Sequence, residues 1–222
     1  MKIRTIFHER LREIQDELLI MGSMVEKAIA RSVEALKKRD LKLAEQVIED
    51  DQKINRKRFA IEESCITIIA TQQPMASDLR IIITVLNLIT ELERMGDYAE
   101  GIARIALMIG DEPPLKPLID IPRMAEKAQD MLRRSLQALI NRDSEEAIRI
   151  TAEDDEVDNL YDQVFRELLV FMMEDPRTIT RATRLIWVAH NLERVADRVT
   201  NICERVVFTV TGKMEEISTS KY

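Results

Sequence analysis

SVEALKKRD (residues 32–40) and SLQALINRD (residues 135–143) are one phrase written twice, 103 residues apart, with five of nine positions identical. The same offset pairs Ala44 with Ala147 and Asp51 with Asp154. Further on, LERMGDYAEGI (92–102) returns as LERVADRVTNI (192–202) at an offset of 100, so about three residues are missing from the second copy near Pro176. This is a divergent internal duplication, and it has to be recognised before any fold is assigned.

Each copy reads as three helical segments. The first gives 4–38, 41–71 and 75–109, and the second gives 120–141, 144–173 and 177–211. Asp40 and Asp143 stand where N-caps belong, and Glu146, three residues after Asp143, completes a capping box. Apolar residues at 82, 85, 89, 92, 96, 99, 103 and 106 line one face at helical spacing. No alternation of β-branched residues bounded by turns calls for a strand. The expected fold is all-α: six long helices forming a tandem duplication of antiparallel three-helix bundles. Of the six prolines, Pro113, Pro114, Pro117 and Pro122 fall in one midpoint stretch. The expected division is therefore 1–110, a Pro-rich connection 111–122, and 123–222. Pro74 and Pro176 each suit the first turn of a new helix.

Composition agrees with a helical protein. Of 222 residues, 45% are hydrophobic and 33% charged, with only 5 Gly and 6 Pro. The net charge of -7, with no basic run interleaved with aromatics, argues against nucleic acid. No secretory h-region and no apolar run of membrane-spanning length appears, so the expectation is a cytosolic protein without direct membrane insertion. Cys65 and Cys203 sit in apolar helical patterns and read as buried free thiols. Trp187 and the methionines read as core filling.

The doubled L-E-R-x-x-D does not serve a core. Glu93 and Asp97 lie one turn apart at the polar border of their helix, as do Glu193 and Asp197, the latter flanked by His190, Asn201 and Glu204. Like charges at i and i+4 disfavour a helix by a few tenths of a kcal/mol, so a repeated pair asks for a compensating cation. Asp51 with Asn55, and Asp154 with Asp158, form a second set on the preceding helix of each half. Two adjacent helices presenting oxygen pairs could hold a hard cation, or several bridged by shared carboxylates. Such a site suits iron, manganese or magnesium better than zinc, which prefers Cys and His. A single E-x-x-x-D is ordinarily a solvated face. Here Glu, Arg and Asp stay identical while apolar neighbours drift. Metal binding, partner binding and plain shared descent all remain open on the residues alone. Arg94 and Arg194 read as braces to a neighbouring helix, and His190 as a polar-face residue.

The paired LER motifs, the QPMASDLR turn (73–80) and the tandem halves resemble the PhoU family of phosphate-uptake regulators over essentially the whole chain. The resemblance implies a cytoplasmic accessory protein and negative regulator of the phosphate-starvation response. It would link the ATPase subunit of a phosphate-specific ABC transporter to a sensor histidine kinase, often as a homodimer. It also implies metal binding by the acidic motifs, in some members as multinuclear iron clusters. Carried over, the ligands would be Glu93, Asp97, Glu193 and Asp197, with Asp51, Asn55, Asp154 and Asp158 beside them. Asn55 departs from the acidic pattern, and TITRATR after Pro176 lacks the D-L-R that follows Pro74. No Gly-rich phosphate loop or nucleophile motif is present. A non-enzymatic adaptor therefore ranks ahead of a structural helical module. A carboxylate-bridged oxidase ranks last, since no E-x-x-H accompanies the acids.

Overall fold

The computed structural model describes residues 2–213 and residue 217; the rest of the second half's C-terminal end lies outside the described residues. The elements are α1 (Lys2–Lys38), α2 (Leu41–Gln72), α3 (Ser77–Ile109), α4 (Asp120–Asn141), α5 (Ser144–Ala152), α6 (Asp154–Glu174) and α7 (Ile179–Thr211). A short 3-10 turn, Pro176–Thr178, leads into α7. There is no strand among the described residues, so the all-α expectation stands.

α1 shows why these segments bundle. Its buried residues Phe7, Leu11, Ile14, Leu18, Met21 and Val25 alternate in steps of four and three. That heptad-like seam lets neighbours pack nearly parallel or antiparallel to it. The tight turns to α2 and α5 are fixed by the duplicated aspartates. Asp40 accepts the Leu43 N–H at 3.0 Å and Asp143 accepts the Glu146 N–H at 2.9 Å. The reciprocal arm of the capping box does not form. The Asp143 N–H goes to the Ala138 carbonyl at 2.9 Å, and the Glu146 carboxylate is drawn to Arg134 and Arg149 instead.

Other expectations need correction. The helix expected over 144–173 is broken at Glu153, which closes α5 and opens α6. Pro74 lies in the turn before α3 rather than in its first turn, whereas Pro176 opens the 3-10 turn as expected. Trp187 is 56% exposed and Met75, Met108 and Met173 are exposed too, so these are not core. Cys65 and Cys203 are buried and free.

All eight expected apolar positions of α3 are buried, but so are Ile81, Leu88, Met95 and Ile102. The reason is that α3 is covered on a second side by α7. The two helices run antiparallel. Thr84 and Thr209 share a hydrogen bond of 2.7 Å, Asn201 donates to Glu91 at 3.2 Å, and Arg184 donates to the Met108 carbonyl at 2.6 Å. At Gly101 a Cβ would come within 3.0 Å of the Asn191 amide. Shifting by the 100-residue offset exchanges 91/201 with 191/101, so the seam is pseudo-twofold. α1 packs on α4 behind it, and one hydrophobic core runs through both halves. The connection between the halves is held by arginines. Arg39 donates to the Asp111 carbonyl at 3.3 Å and Arg181 to the Pro113 carbonyl at 2.9 Å.

Candidate functional site

In each half the second helix lies against the third, and the acidic pairs meet across that contact. The approach is close in the first half, where the LER motif carries Gly96. A Cβ there would stand 3.2 Å from both Asp51 Oδ1 and Ile54 Cδ1. The second helix is pinned at equivalent places. Arg31 holds Asp50 at 2.6 Å, and Arg134, its counterpart at offset 103, holds Glu153 at 2.8 Å. Asp51 and Asp154 each follow directly after the pinned residue, so α1 and α4 set their register.

The first cluster gathers Asp51 from α2 with Glu93, Asp97 and Glu100 from α3. Burial and the carboxylates of Asp97, Glu100 and Glu93 push Asp51 up to about 6. Burial, Glu93 and Glu100 likewise raise Asp97. Asn55 donates to Asp51 Oδ2 at 2.8 Å, while Asp51 Oδ1 is buried with no hydrogen-bond partner. Arg58 reaches Glu93 at 3.4 Å.

The second cluster brings together Asp154 and Asp158 from α6 with Glu193 and Asp197 from α7. Burial, then Asp158, Asp197 and Glu193, push Asp154 up to about 7. Burial and Asp197 push Glu193 up to about 7 against the pull of Arg194. Burial raises Asp197 despite Arg194, Arg198 and His190. Asp154 Oδ1 and Glu193 Oε2 are buried without a hydrogen-bond partner. His190 Nδ1 stands 3.5 Å from Glu193. Burial and Arg194 lower its pKa, so its nitrogen favours the neutral, lone-pair-bearing form.

The clusters are thus alike in plan and unlike in charge. At offset 103 from Arg58 stands Tyr161, so the second cluster has no guanidinium from its second helix. Acid density that outweighs its arginine counter-charge in a half-buried site raises carboxylate pKa values. A bound cation relieves both that repulsion and the orphaned oxygens. The donor set, all oxygen with one imidazole in the second half, fits a hard or borderline cation. Among the described residues, no three His, Cys, Asp or Glu side chains already stand in ion-holding geometry.

Several flanking residues serve other purposes. Asn201 donates to Glu91 across the α3–α7 seam, and Glu204 accepts the Ile217 N–H at 3.2 Å. Neither belongs to the acidic cluster beside which the sequence placed it. Arg194 pairs with Asp197 on its own helix at 2.7 Å and donates to Tyr98 across the seam. Its carboxylate partner is therefore not on a neighbouring helix. Arg80 of the first half's D-L-R lies at the end of α7. Gly212 caps that helix at φ 76°, and a Cβ there would collide with the Arg80 guanidinium. Arg58, Arg31 and Arg134 were missed. The arginine repeated directly before each opening phrase was a signal for the latter two.

Comparison with known proteins bears on this duplicated acidic plan. Residues 18–106 and 121–206 each match the model of the PhoU domain. The chain belongs to the PhoU family. A relative from Clostridium acetobutylicum, the phosphate-specific transport system accessory protein PhoU homolog, is 39% identical over 97% of this chain and 99% of its own. The Escherichia coli phosphate-specific transport system accessory protein PhoU is 38% identical over 93% of this chain and 86% of its own. The crystal structure of PhoU from Pseudomonas aeruginosa superposes with a TM-score of 0.88 at 38% identity, covering 93% of this chain and 100% of that one. The two PhoU domain matches coincide with the two copies of the acidic plan.

Proposed function

We propose that this chain is a non-enzymatic accessory protein that restrains phosphate uptake and the phosphate-starvation response. In this reading it works at the cytoplasmic face of the membrane as a homodimeric adaptor. It contacts the ATPase subunit of a phosphate-specific ABC transporter and a sensor histidine kinase. Family membership and the accessory role named for its relatives support the transport connection. No helix among the described residues is long and apolar enough to cross a membrane, so contact with a transporter would be through its exposed parts.

We further propose that the acidic clusters hold metal, with Asp51, Asn55, Glu93 and Asp97 as the first donor set and Asp154, Asp158, Glu193 and Asp197 as the second. Iron, manganese or magnesium suits such donors, with zinc the lesser candidate. The supporting observation is the trio of buried oxygens, on Asp51, Asp154 and Glu193, that have no hydrogen-bond partner. An unsatisfied buried acceptor is costly, and a coordinated ion removes that cost. Elemental mass spectrometry on anaerobically purified protein tests this beside the Glu93→Ala, Asp97→Ala, Glu193→Ala, Asp197→Ala variant. Metal at one or more per chain, lost from a still-helical variant, supports the reading. An empty parent after loading sinks it. A second reading, an acidic docking face for basic partners, is favoured by the absence of a ready-made three-donor group among the described residues. It predicts salt-sensitive partner binding that survives chelation.

A further inference from the structure

The two copies of the acidic plan differ in one type of donor. His190, Glu193 and Asp197 stand three and four residues apart in turn on α7, so all three share one face. At the same places α3 has Thr90, Glu93 and Asp97. The Thr90 hydroxyl is committed to its own helix, donating to the Leu86 carbonyl at 3.3 Å. The first cluster therefore offers oxygen alone, while the second has an imidazole at its edge. Because the same helix pair is built once without that ring, packing does not require it.

His190 Nδ1 stands 3.5 Å from Glu193 Oε2. That oxygen is buried and has no hydrogen-bond partner, so the pair is not a hydrogen bond. Two donors each about 2.1 Å from one ion, at a tetrahedral angle, stand about 3.4 Å apart. The observed separation is nearer to that than to the spacing of about 2.9 Å in an ordinary hydrogen bond. Tyr161 at 6.1 Å and Trp187 at 5.8 Å bracket the imidazole and hold its plane. Asp154 Oδ1, a second buried oxygen without a hydrogen-bond partner, belongs to the same cluster. No third such donor already stands in place among the described residues. The nitrogen–oxygen pair is thus a start on which the remaining carboxylates close, Asp197 first leaving Arg194, now at 2.7 Å.

We infer that His190 is a ligand of the second cluster and sets the class of metal it takes. The second cluster prefers a borderline ion, zinc or ferrous iron, over magnesium, while the first keeps to hard ions. Imidazole suits zinc and iron, whereas carboxylate and water suit magnesium and manganese. The inference rests on the reading of the clusters as metal sites, and it reverses the rank of zinc for the second cluster alone.

The chain has two histidines, so ring-nitrogen NMR follows each separately. His190→Thr, which writes the first half's residue into the second, assigns them. The test adds zinc ion, and in parallel magnesium ion, to the metal-free full chain, reading ring-nitrogen shifts and calorimetric affinity. Zinc should move His190 Nδ1 to the position of a coordinated imidazole and leave His8 in place. Magnesium should move neither. His190→Thr should bind zinc at least about tenfold more weakly at the second cluster, since even an outer-shell partner is worth that much. Its magnesium affinity should not change. His190→Gln takes its place if the Thr variant loses helicity by circular dichroism. The shift should persist in a Glu93→Ala, Asp97→Ala variant and vanish in Glu193→Gln, Asp197→Asn. Equal zinc affinity in the parent and the His190 variant, with the ring unmoved, overturns the role of His190 and leaves the metal reading standing. A shift that survives the loss of Glu193 and Asp197 puts the imidazole on an unrelated ion and overturns it too. If neither ion binds the parent, the metal reading falls and this inference with it.

Discussion

Arg58 is the residue that most separates the two acidic clusters. It is a guanidinium at 3.4 Å from Glu93 where the second half has Tyr161. Replacing it with Gln removes the built-in counter-charge, so divalent affinity at the first cluster should rise several-fold, measurable by calorimetric titration. The crowded, partly buried carboxylates make a pH prediction for metal-free protein. Asp154 and Glu193 are raised to about 7 and Asp51 to about 6, all above their unfolded values near 4. The folded state therefore binds more protons in that interval, and stability falls as pH rises from about 4 through 7. The urea midpoint should be higher at pH 5 than at pH 8. Asp154→Asn with Glu193→Gln should flatten that slope and raise the midpoint at pH 8; a steeper slope in the variant would contradict the assignment. The acidic pairs were legible in the sequence because repetition exposed them. Arg58 was not, since a counter-ion arriving from another helix leaves no spacing to read.

At the scale of the helix, Asp143 and Asp40 do equivalent work at equivalent turns. Asp143→Ala should cost about 1 kcal/mol in denaturant unfolding, with Asp40→Ala similar. Gly96 allows α2 to lie close on α3. A Gly96→Leu side chain would have to displace Ile54 and Asp51, a cost of about 1–3 kcal/mol. Element positions were readable because apolar spacing and the duplicated caps both speak at short range. The break at Glu153 was hidden. EDDEVDN has no Gly or Pro to mark a break, and its acidic crowding disfavours a helix by only a few tenths of a kcal/mol; the interruption coincides with the pull of Arg134 and Lys127 on Glu153, at 2.8 Å and 2.7 Å. Trp187 was misread because helical periodicity places a residue on a face without saying whether that face is covered.

Across the whole molecule, the α3–α7 seam makes the two halves one cooperative body. Glu91 and Arg198 meet there at 3.4 Å, 17% and 15% exposed. Glu91→Ala would strand the guanidinium, so a loss of about 2 kcal/mol or more is expected in denaturant unfolding. Because one core spans both halves, wild-type unfolding should follow a single transition by circular dichroism and by Trp187 emission alike. Two separated transitions would mean that the halves fold alone. The sequence revealed the halves but not their union. Its repeats describe each bundle, while the seam depends on residues such as Glu91 and Asn201 that are not repeated. The seam's near-twofold symmetry also gives the connection between α3 and α4 a meaning of its own. Two unlinked halves would have to find each other in solution, at a yield set by their abundance. Tethered by a short strap, each meets its mate at an effective concentration in the millimolar range. Assembly becomes independent of expression level. The two acidic clusters, freed from obligatory identity, could then diverge, one toward a built-in arginine and the other toward an open, aromatic-flanked edge.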